Sequence, residues 1–357
     1  MLKSVLKLIV VIVLVFPISV SPQSKTKDNI TTIAFGSCSD QNHPLPIFNV
    51  IASHKPDMFI FLGDNIYADT EDMKEFQKKY DQLAGKPSFI NLKKTVPTIL
   101  ATWDDHDYGE NDGGRSYKKK RQSKELFLTF FEEPEKSRRW KHTGIYTSYM
   151  YKVNGKKLQI ILLDNRSFKE PGNENIFKVK NPRYFYELTF LPHNEHQNFL
   201  GAEQWAWLED ELSKDADIRI IGSGSQFGAE YNGYETWSNF PHEQQRLLDL
   251  IRKTKAEGVI FISGDVHYGE ISRRNEPDLY PIYDMTASGM SSIAPYPAPN
   301  SHRVEGPVME NHFGKITIDW NAEDPDINME IWDVFDNQRV EYKIKTSEIS
   351  FGRFTKR

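Results

Sequence analysis

Several short stretches of this chain each end an apolar run with a glycine or a polar break, then present groups that bind metals. In Phe61-Leu62-Gly63-Asp64-Asn65-Ile66-Tyr67-Ala68-Asp69, Asp64 stands where a buried strand breaks off at a glycine. The stretch Val259-Ile260-Phe261-Ile262-Ser263-Gly264-Asp265-Val266-His267 repeats the design, and a strand over 95–102 ends in Trp103-Asp104-Asp105-His106-Asp107-Tyr108-Gly109. Carboxylates from Asp64, Asp105 and Asp265 meeting at one place repel strongly unless a cation lies between them. A bound metal resolves that conflict.

The neighbouring residues narrow the metal. His267 lies two residues after Asp265, a spacing that puts side chains on opposite faces of an extended chain, so the turn after Gly264 must bring both inward. Tyr67, three residues after Asp64, reaches the same ion through one helical or turn-like step. A phenol with its ordinary pKa of about 10 must be acidified to bind at neutral pH. A trivalent cation such as Fe(III) does this more readily than Zn(II) or Mg(II). Cys38, in Gly36-Ser37-Cys38-Ser39-Asp40, offers a softer thiolate donor. Mixed Cys, Tyr, Asp and His ligation points to iron.

The elements that must position these residues read as alternating strands and helices. A strand from residue 31 into Gly36, a helix over 46–54 and a strand opening at Asp57 make a β-α-β start. An amphipathic helix is expected over 71–83 and a basic one over 118–133. Segments 145–153 and 157–163 flank Asn154-Gly155, a strong hairpin signal, and the second leads into Asp164-Asn165-Arg166. Residues 169–200 lack clear periodicity and suit a long insertion over the domain, either a lid or a surface excursion. Helices at 202–212 and 242–256, strands at 218–222 and 283–292, and alternating strands over 315–344 complete an α/β chain. Open α/β sheets carry their chemistry at the carboxyl ends of their strands.

Composition bounds the class. The chain has 357 residues with 38% hydrophobic and 13% aromatic content, enough for a large core. Lys3 and Lys7 precede an apolar run over 8–16 and then small residues, which reads as a secretory signal peptide over 1–23. That run is short for a membrane span, so no stable span is expected after its removal, with a retained N-terminal anchor as the alternative. Loss of those two lysines and no acids takes the net charge from −5 to −7, a balance without the electrostatic footprint of a nucleic-acid binder. The single cysteine, Cys38, cannot form an internal disulfide.

Gly63-Asp64-Asn65-Ile66-Tyr67 resembles the Gly-Asp-x-x-Tyr block of purple acid phosphatases and PhoD-like alkaline phosphatases. Gly36-Ser37-Cys38-Ser39, Trp103-Asp104-Asp105-His106-Asp107 and Ser263-Gly264-Asp265-Val266-His267 are similar to PhoD-like phosphatases specifically, in family order. The resemblance implies a four-layer αββα metallophosphoesterase-like sandwich, as a single catalytic domain over 28–350. It also implies an Fe(III) bound by Cys38, Asp64, Tyr67 and His267, with Asp64 bridging to Ca(II) or another hard divalent ion held by Asp105 and Asp265. His106 would act beside the phosphate as general acid or transition-state donor, and Arg166 could clamp it, with a surface salt bridge as the alternative. The implied activity is that of an exported phosphomonoesterase, secreted or periplasmic through a Sec-type leader, acting on phosphate esters by attack of a metal-activated hydroxide.

This chain departs from ordinary metallophosphoesterases in ways that enrich the second site in oxygen. It has Cys38-Ser39-Asp40 where they have Asp-x-His, Asp105 where they have Asn, and Gly264-Asp265 where they have Gly-His. Gln226 stands near an expected further histidine ligand. Hard ions are favoured over zinc by these changes. Asp69, Asp104, Asp107 and Asp112 could be ligands, but one or more are better read as helix caps or as acceptors beside the ligands, and Asn111 could reach the second metal. Ser223 and Ser225 do not fit a nucleophile elbow. A phosphodiesterase or phospholipase of the same fold, and a metal or phosphate binder without turnover, are the alternative readings.

Overall fold

The computed structural model describes residues 30–171, 177–180, 187–190, 196–230 and 235–353. The expected signal peptide over 1–23 lies outside the described residues, as does much of the excursion over 169–200, read as either a lid or a surface excursion. Strands β1 (Thr32–Gly36) and β2 (Met58–Leu62) run parallel on either side of helix α1 (Ile47–Ser53) in the chain. Helices α2 (Met73–Ala84) and α3 (Pro87–Thr95) lead to strand β3 (Thr98–Thr102), parallel to β2. The short helix α4 (Asp105–Tyr108) and the basic helix α5 (Lys120–Phe130) precede the hairpin β4 (Thr147–Val153) and β5 (Lys156–Leu162). Its turn is Asn154-Gly155, with φ of 49° and 80°, the left-handed pair that a two-residue hairpin requires.

Strands β6 (Phe177–Lys180) and β7 (Glu187–Phe190) pair antiparallel inside the 169–200 excursion. Helix α6 (Gly201–Leu212), strand β8 (Ile218–Ser223), helix α7 (Pro241–Thr254) and strand β9 (Val259–Ser263) restore the alternation. Strands β10 (Gly269–Arg274), β11 (Ile282–Ala287) and β12 (Arg303–Val308) follow, then β13 (His312–Ile318), β14 (Asp326–Asp333) and β15 (Gln338–Lys345).

Two sheets result. One has the order β15-β14-β13-β1-β2-β3 and the other β12-β10-β11-β9-β8-β5-β4. Their period-two alternation builds the layers. On β2, Met58, Ile60 and Leu62 join the core between the sheets with Leu158, Ile160, Ile220 and Ile260. Phe59 and Phe61 point the other way, into a second cluster with Phe48, Phe76, Leu92 and Phe127 from α1, α2, α3 and α5. Helices α6 and α7 cover the second sheet through Trp205, Leu208, Leu247 and Ile251. The expected αββα sandwich is the observed one.

A buried carboxylate ties α6 to α7 and fixes where the chain returns from its excursion. Glu243, 3% exposed, accepts from the Phe199 and Leu200 N–H groups at 3.1 and 3.0 Å and from Trp205 Nε1 at 2.8 Å. Helix α3 and strands β10 and β12 were not anticipated. Nine residues of α3 give too few turns for a period to show, and β12, with Arg303, Glu305 and Pro307, lacks the apolar alternation of a strand.

Candidate metal centre

The parallel strands deliver their polar residues to one end of the sandwich through very close approaches. Gly63 has φ of 113°, and a Cβ there would lie 2.4 Å from Asp104 Cβ; a Cβ on Gly264 would lie 2.5 Å from Ser37 Oγ. Only glycine lets the strand ends come this near. The residues beside them are strained: Cys38, Asp64, Asp265 and His267 have φ of 62°, 48°, 77° and 61°. A left-handed conformation costs about 1–2 kcal/mol for a residue with a side chain, and such strain gathers at functional sites. At Asp265 and His267 it supplies the turn that brings both side chains inward.

These strained positions bring the expected ligands together. Cys38 Sγ lies 3.4 Å from Asp64 Oδ2, and the Tyr67 hydroxyl is 3.1 Å from His267 Nε2. One donor atom each from Cys38, Asp64 and His267 lie within 4.8 Å of one another, and so do those of Asp64, Asp104, Asp105 and Asp265. Asp64 belongs to both groups. Beneath them Asp107, fully buried, accepts from the N–H groups of Asp64, Asn65 and Asp104 at 3.2, 3.3 and 2.8 Å, and from Asn65 Nδ2 at 2.5 Å. Asp107 therefore holds the loops after β2 and β3 in register. Asp104 caps α4 and joins the carboxylate group as well, so the capping role preferred for it and the ligand role weighed beside it fall on one carboxyl.

The electrostatics of the cluster favour a cation. Burial raises the Asp64 pKa well above the carboxylate range, and Asp105 and Asp104 push it further; burial and the same two residues raise Asp265. Burial raises Asp104 to about 6 and, with Asp64 beside it, raises the Cys38 thiol. Burial also raises the Tyr67 phenol, aided by Cys38 and Asp64. Burial alone would raise Asp105, but the Arg166 guanidinium, His106 and the Asp112 N–H outweigh it and hold the group at about 2. Asp64 Oδ1 and Asp104 Oδ2 are buried without a hydrogen-bond partner. Unpaired buried carboxylate oxygens amid thiol, phenol, imidazole and carboxylate donors fit a metal pair, with Cys38, Asp64, Tyr67 and His267 on one side and Asp64, Asp105 and Asp265 on the other.

Two further residues read differently in three dimensions. Arg166 is fully buried. Its Nε donates to Asp104 and its Nη1 to Glu235, while Nη2 sits 3.8 Å from Asp105 Oδ1. It thus spends its charge on carboxylates. Glu235 also pairs with Lys169 and groups with Asp105 and Asp112; no motif in the chain marks it. Gln226 is not turned toward the ligands: its Nε2 donates to Glu270 at 3.1 Å and Thr286 at 3.0 Å in a buried polar network. Asn111 and Asp112 line the cavity, of about 410 Å³, that opens onto Asp64, Asp105, Asp265 and His267.

His106 lies on the same cavity and is held by Asp69. Its Nδ1 is 2.8 Å from both Asp69 carboxylate oxygens, and its ring lies 4.2 Å from that of Tyr67. Burial would lower its pKa, but the Asp69 hydrogen bond and the charges of Asp105 and Asp69 outweigh it and raise the value. With Nδ1 taken, Nε2 remains for a ligand.

Two central sheets with an acidic, metal-capable centre at the strand ends define a metallophosphoesterase fold. Among solved structures the chain is similar to one described as the structure of PhoD, with a TM-score of 0.60, 16% identity, and coverage of 88% of this chain and 72% of that one. It is also similar to a dimetal phosphatase from Danio rerio, with a TM-score of 0.51, 13% identity, and coverage of 89% and 99%. Alkaline phosphatase D of Bacillus subtilis (strain 168) is 22% identical over 293 residues, 69% of this chain and 49% of that protein, so the chain spans about half the length of this curated relative. The chain belongs to the PhoD-like phosphatase family, whose model matches residues 33–295.

The raised carboxyl pKa values carry a consequence for stability. A carboxyl whose folded pKa exceeds its unfolded value near 4 favours folding below that value and ceases to do so as pH rises through the folded one. Metal-free protein should therefore lose stability between about pH 4 and the raised pKa values of Asp104, Asp64 and Asp265, whereas bound cations reverse the preference. Melting temperatures of chelated and metal-loaded protein should differ more at pH 8 than at pH 5. Equal differences at both would show that the cluster does not bind the ions.

Proposed function

We propose that the protein is an exported, metal-dependent phosphoric ester hydrolase acting on phosphomonoesters. The observation that carries this reading is the sharing of Asp64 between a Cys38–His267 group and an Asp104–Asp105–Asp265 group, in a chain of the PhoD-like phosphatase family. The Tyr67 and Cys38 donors favour Fe(III) at the first position, and the oxygen-only second set favours Ca(II) or another hard divalent ion. Bound cations supply neutralisation of phosphoryl oxygens and acidification of a water nucleophile. Support for export is the leader-like sequence over 1–23; no helix among the described residues is long and apolar enough to cross a membrane.

The chain's own residues do the rest. His106, its pKa raised by Asp69, holds a proton at Nε2 for the leaving-group oxygen. Asp69 positions that imidazole through both carboxylate oxygens. Arg166 acts through others as a positioning residue, neutralising Asp104, Asp105 and Glu235 so that Asp105 stays ionised. The cavity next to His106 is lined by polar Asn111, Asp112 and Glu235 and by apolar Val266, Ile293 and Ala294. That mixed wall must accommodate the ester's organic part.

The replacement His106→Ala should lower kcat by about 10²–10⁴-fold with metal content unchanged. Asp69→Asn should lower it less and shift the alkaline limb of the kcat profile to lower pH, because it removes the carboxylate that orients His106 and raises its proton affinity. Unchanged turnover in both would remove this pair from the mechanism.

Purified protein should carry iron and show a visible phenolate band that Tyr67→Phe abolishes, and should hydrolyse p-nitrophenyl phosphate faster than its bis ester. Persistence of the band would assign the phenolate to another tyrosine. Faster diester turnover would make the protein a phosphodiesterase, and metal-loaded protein without turnover would make it a binder.

A further inference from the structure

The segment 288–294, which follows β11, lies along the loop that carries Cys38. The Ser37 N–H donates to the Ala287 carbonyl at 3.1 Å, and the Met290 N–H donates to the Ser37 carbonyl at 3.2 Å. Ser291 makes the next contact twice, since its N–H and its hydroxyl both donate to the Cys38 carbonyl at 3.0 Å. The same hydroxyl accepts from the Asp40 N–H at 2.7 Å. One side chain thus grips the backbone on both sides of Ser39. It holds Cys38 in a left-handed conformation, φ 62°, with Sγ 3.4 Å from Asp64 Oδ2.

Three residues further on, the Ala294 N–H donates to the His267 carbonyl at 2.9 Å, and His267 is likewise left-handed, with φ of 61°. Between these two contacts the Ser292 hydroxyl is hydrogen-bonded to the Tyr67 phenol. Cys38 follows β1 and His267 follows β9, strands of different sheets, so the segment straps together donors that neither sheet positions alone. Its start is fixed. The Gly289 carbonyl accepts from the His312 N–H and from Asn311 Nδ2, both at 3.0 Å, and a Cβ at Gly289 would lie 2.4 Å from Cε1 of the buried His312 ring. Only glycine packs so closely there. Asp105, on the other side of the centre, is secured by different groups, the Asp112 N–H at 2.7 Å and the Arg166 guanidinium.

We propose that this strap sets the separation of Cys38 from His267, and that Ser291 is a positioning residue for the first metal position. The inference rests on the reading of Cys38, Asp64, Tyr67 and His267 as ligands of one ion. Left-handed residues with side chains persist only where the surround enforces them, and the strap's hydrogen bonds to both carbonyls supply that enforcement. Groups that orient ligands govern metal affinity nearly as strongly as the ligands do. Ser291 does not line the cavity over the centre, so it acts through Cys38 and not on the substrate.

Competition of Fe(III) between the protein and a chelator, followed by Ca(II) titration of the iron-saturated protein, tests this on three variants. Ser291→Ala should bind iron about tenfold or more weakly, with a displaced visible band and unchanged Ca(II) affinity. Ser291→Thr keeps the hydroxyl and should restore iron binding. Ser291→Val matches threonine in shape and lacks the hydroxyl, so it should not; this pair decides the matter should the alanine variant fold poorly. Iron affinity of wild-type strength in Ser291→Val would overturn the proposal. So would equal weakening of both ions, which would make Ser291 a residue of general stability. Wild-type protein that binds no iron would overturn the ligand reading itself, and the strap's role with it.

Discussion

The constraint on which this structure depends is the repulsion among carboxylates gathered where water is scarce. Asp64, Asp104, Asp105 and Asp265 place oxygens within 4.8 Å of one another, and three of the four are at most 4% exposed. In a medium of low effective dielectric, like charges at such separations cannot all persist without a compensating cation. Everything around them serves to hold them together despite this. Apolar strands anchor the backbone in two cores, glycines let the strand ends approach, and left-handed residues turn the side chains inward at a cost that only a rigid surround can sustain.

Arg166 marks the boundary between what the polypeptide neutralises itself and what it leaves for an ion. Its guanidinium compensates Asp104, Asp105 and Glu235, and Lys169 shares Glu235. Among the described residues Asp64 and Asp265 form no such ion pair, and Arg166 offsets burial only in part, at Asp265. This division explains how Asp105 is held at about 2 while its neighbour Asp64 is driven upward. A buried arginine among carboxylates contributes little as a net source of stability. Its value here is to fix which oxygens remain ionised and where they point.

Much of the centre was legible because its grammar is local. An apolar run, a glycine and an acid lie within a few residues of each other, so Asp64, Asp105 and Asp265 announce themselves, as do Tyr67 and His267 by their offsets. What escaped is non-local. The partners of Arg166 lie 62 and 69 residues away, and Glu235 has no neighbour in the chain that hints at burial. Asp104 was read as a cap, which it is, because spacing cannot show that the same carboxyl also faces Asp64. Gln226 was placed near the ligands by its sequence neighbourhood, and turns instead to Glu270 because a buried amide takes the nearest paired acceptor. For the fold, strands with alternating apolar residues were readable, whereas the polar edge strand β12 becomes a strand only through pairing with β10.

The central claim is that one carboxylate, Asp64, serves two cations. Metal content measured by mass spectrometry on wild type, Asp64→Asn and Asp265→Asn tests it most directly, with folding checked by circular dichroism. The account predicts about two ions per wild-type chain, loss of both in Asp64→Asn, and loss of only the harder one in Asp265→Asn. An Asp64→Asn protein that keeps the full wild-type metal complement would contradict it.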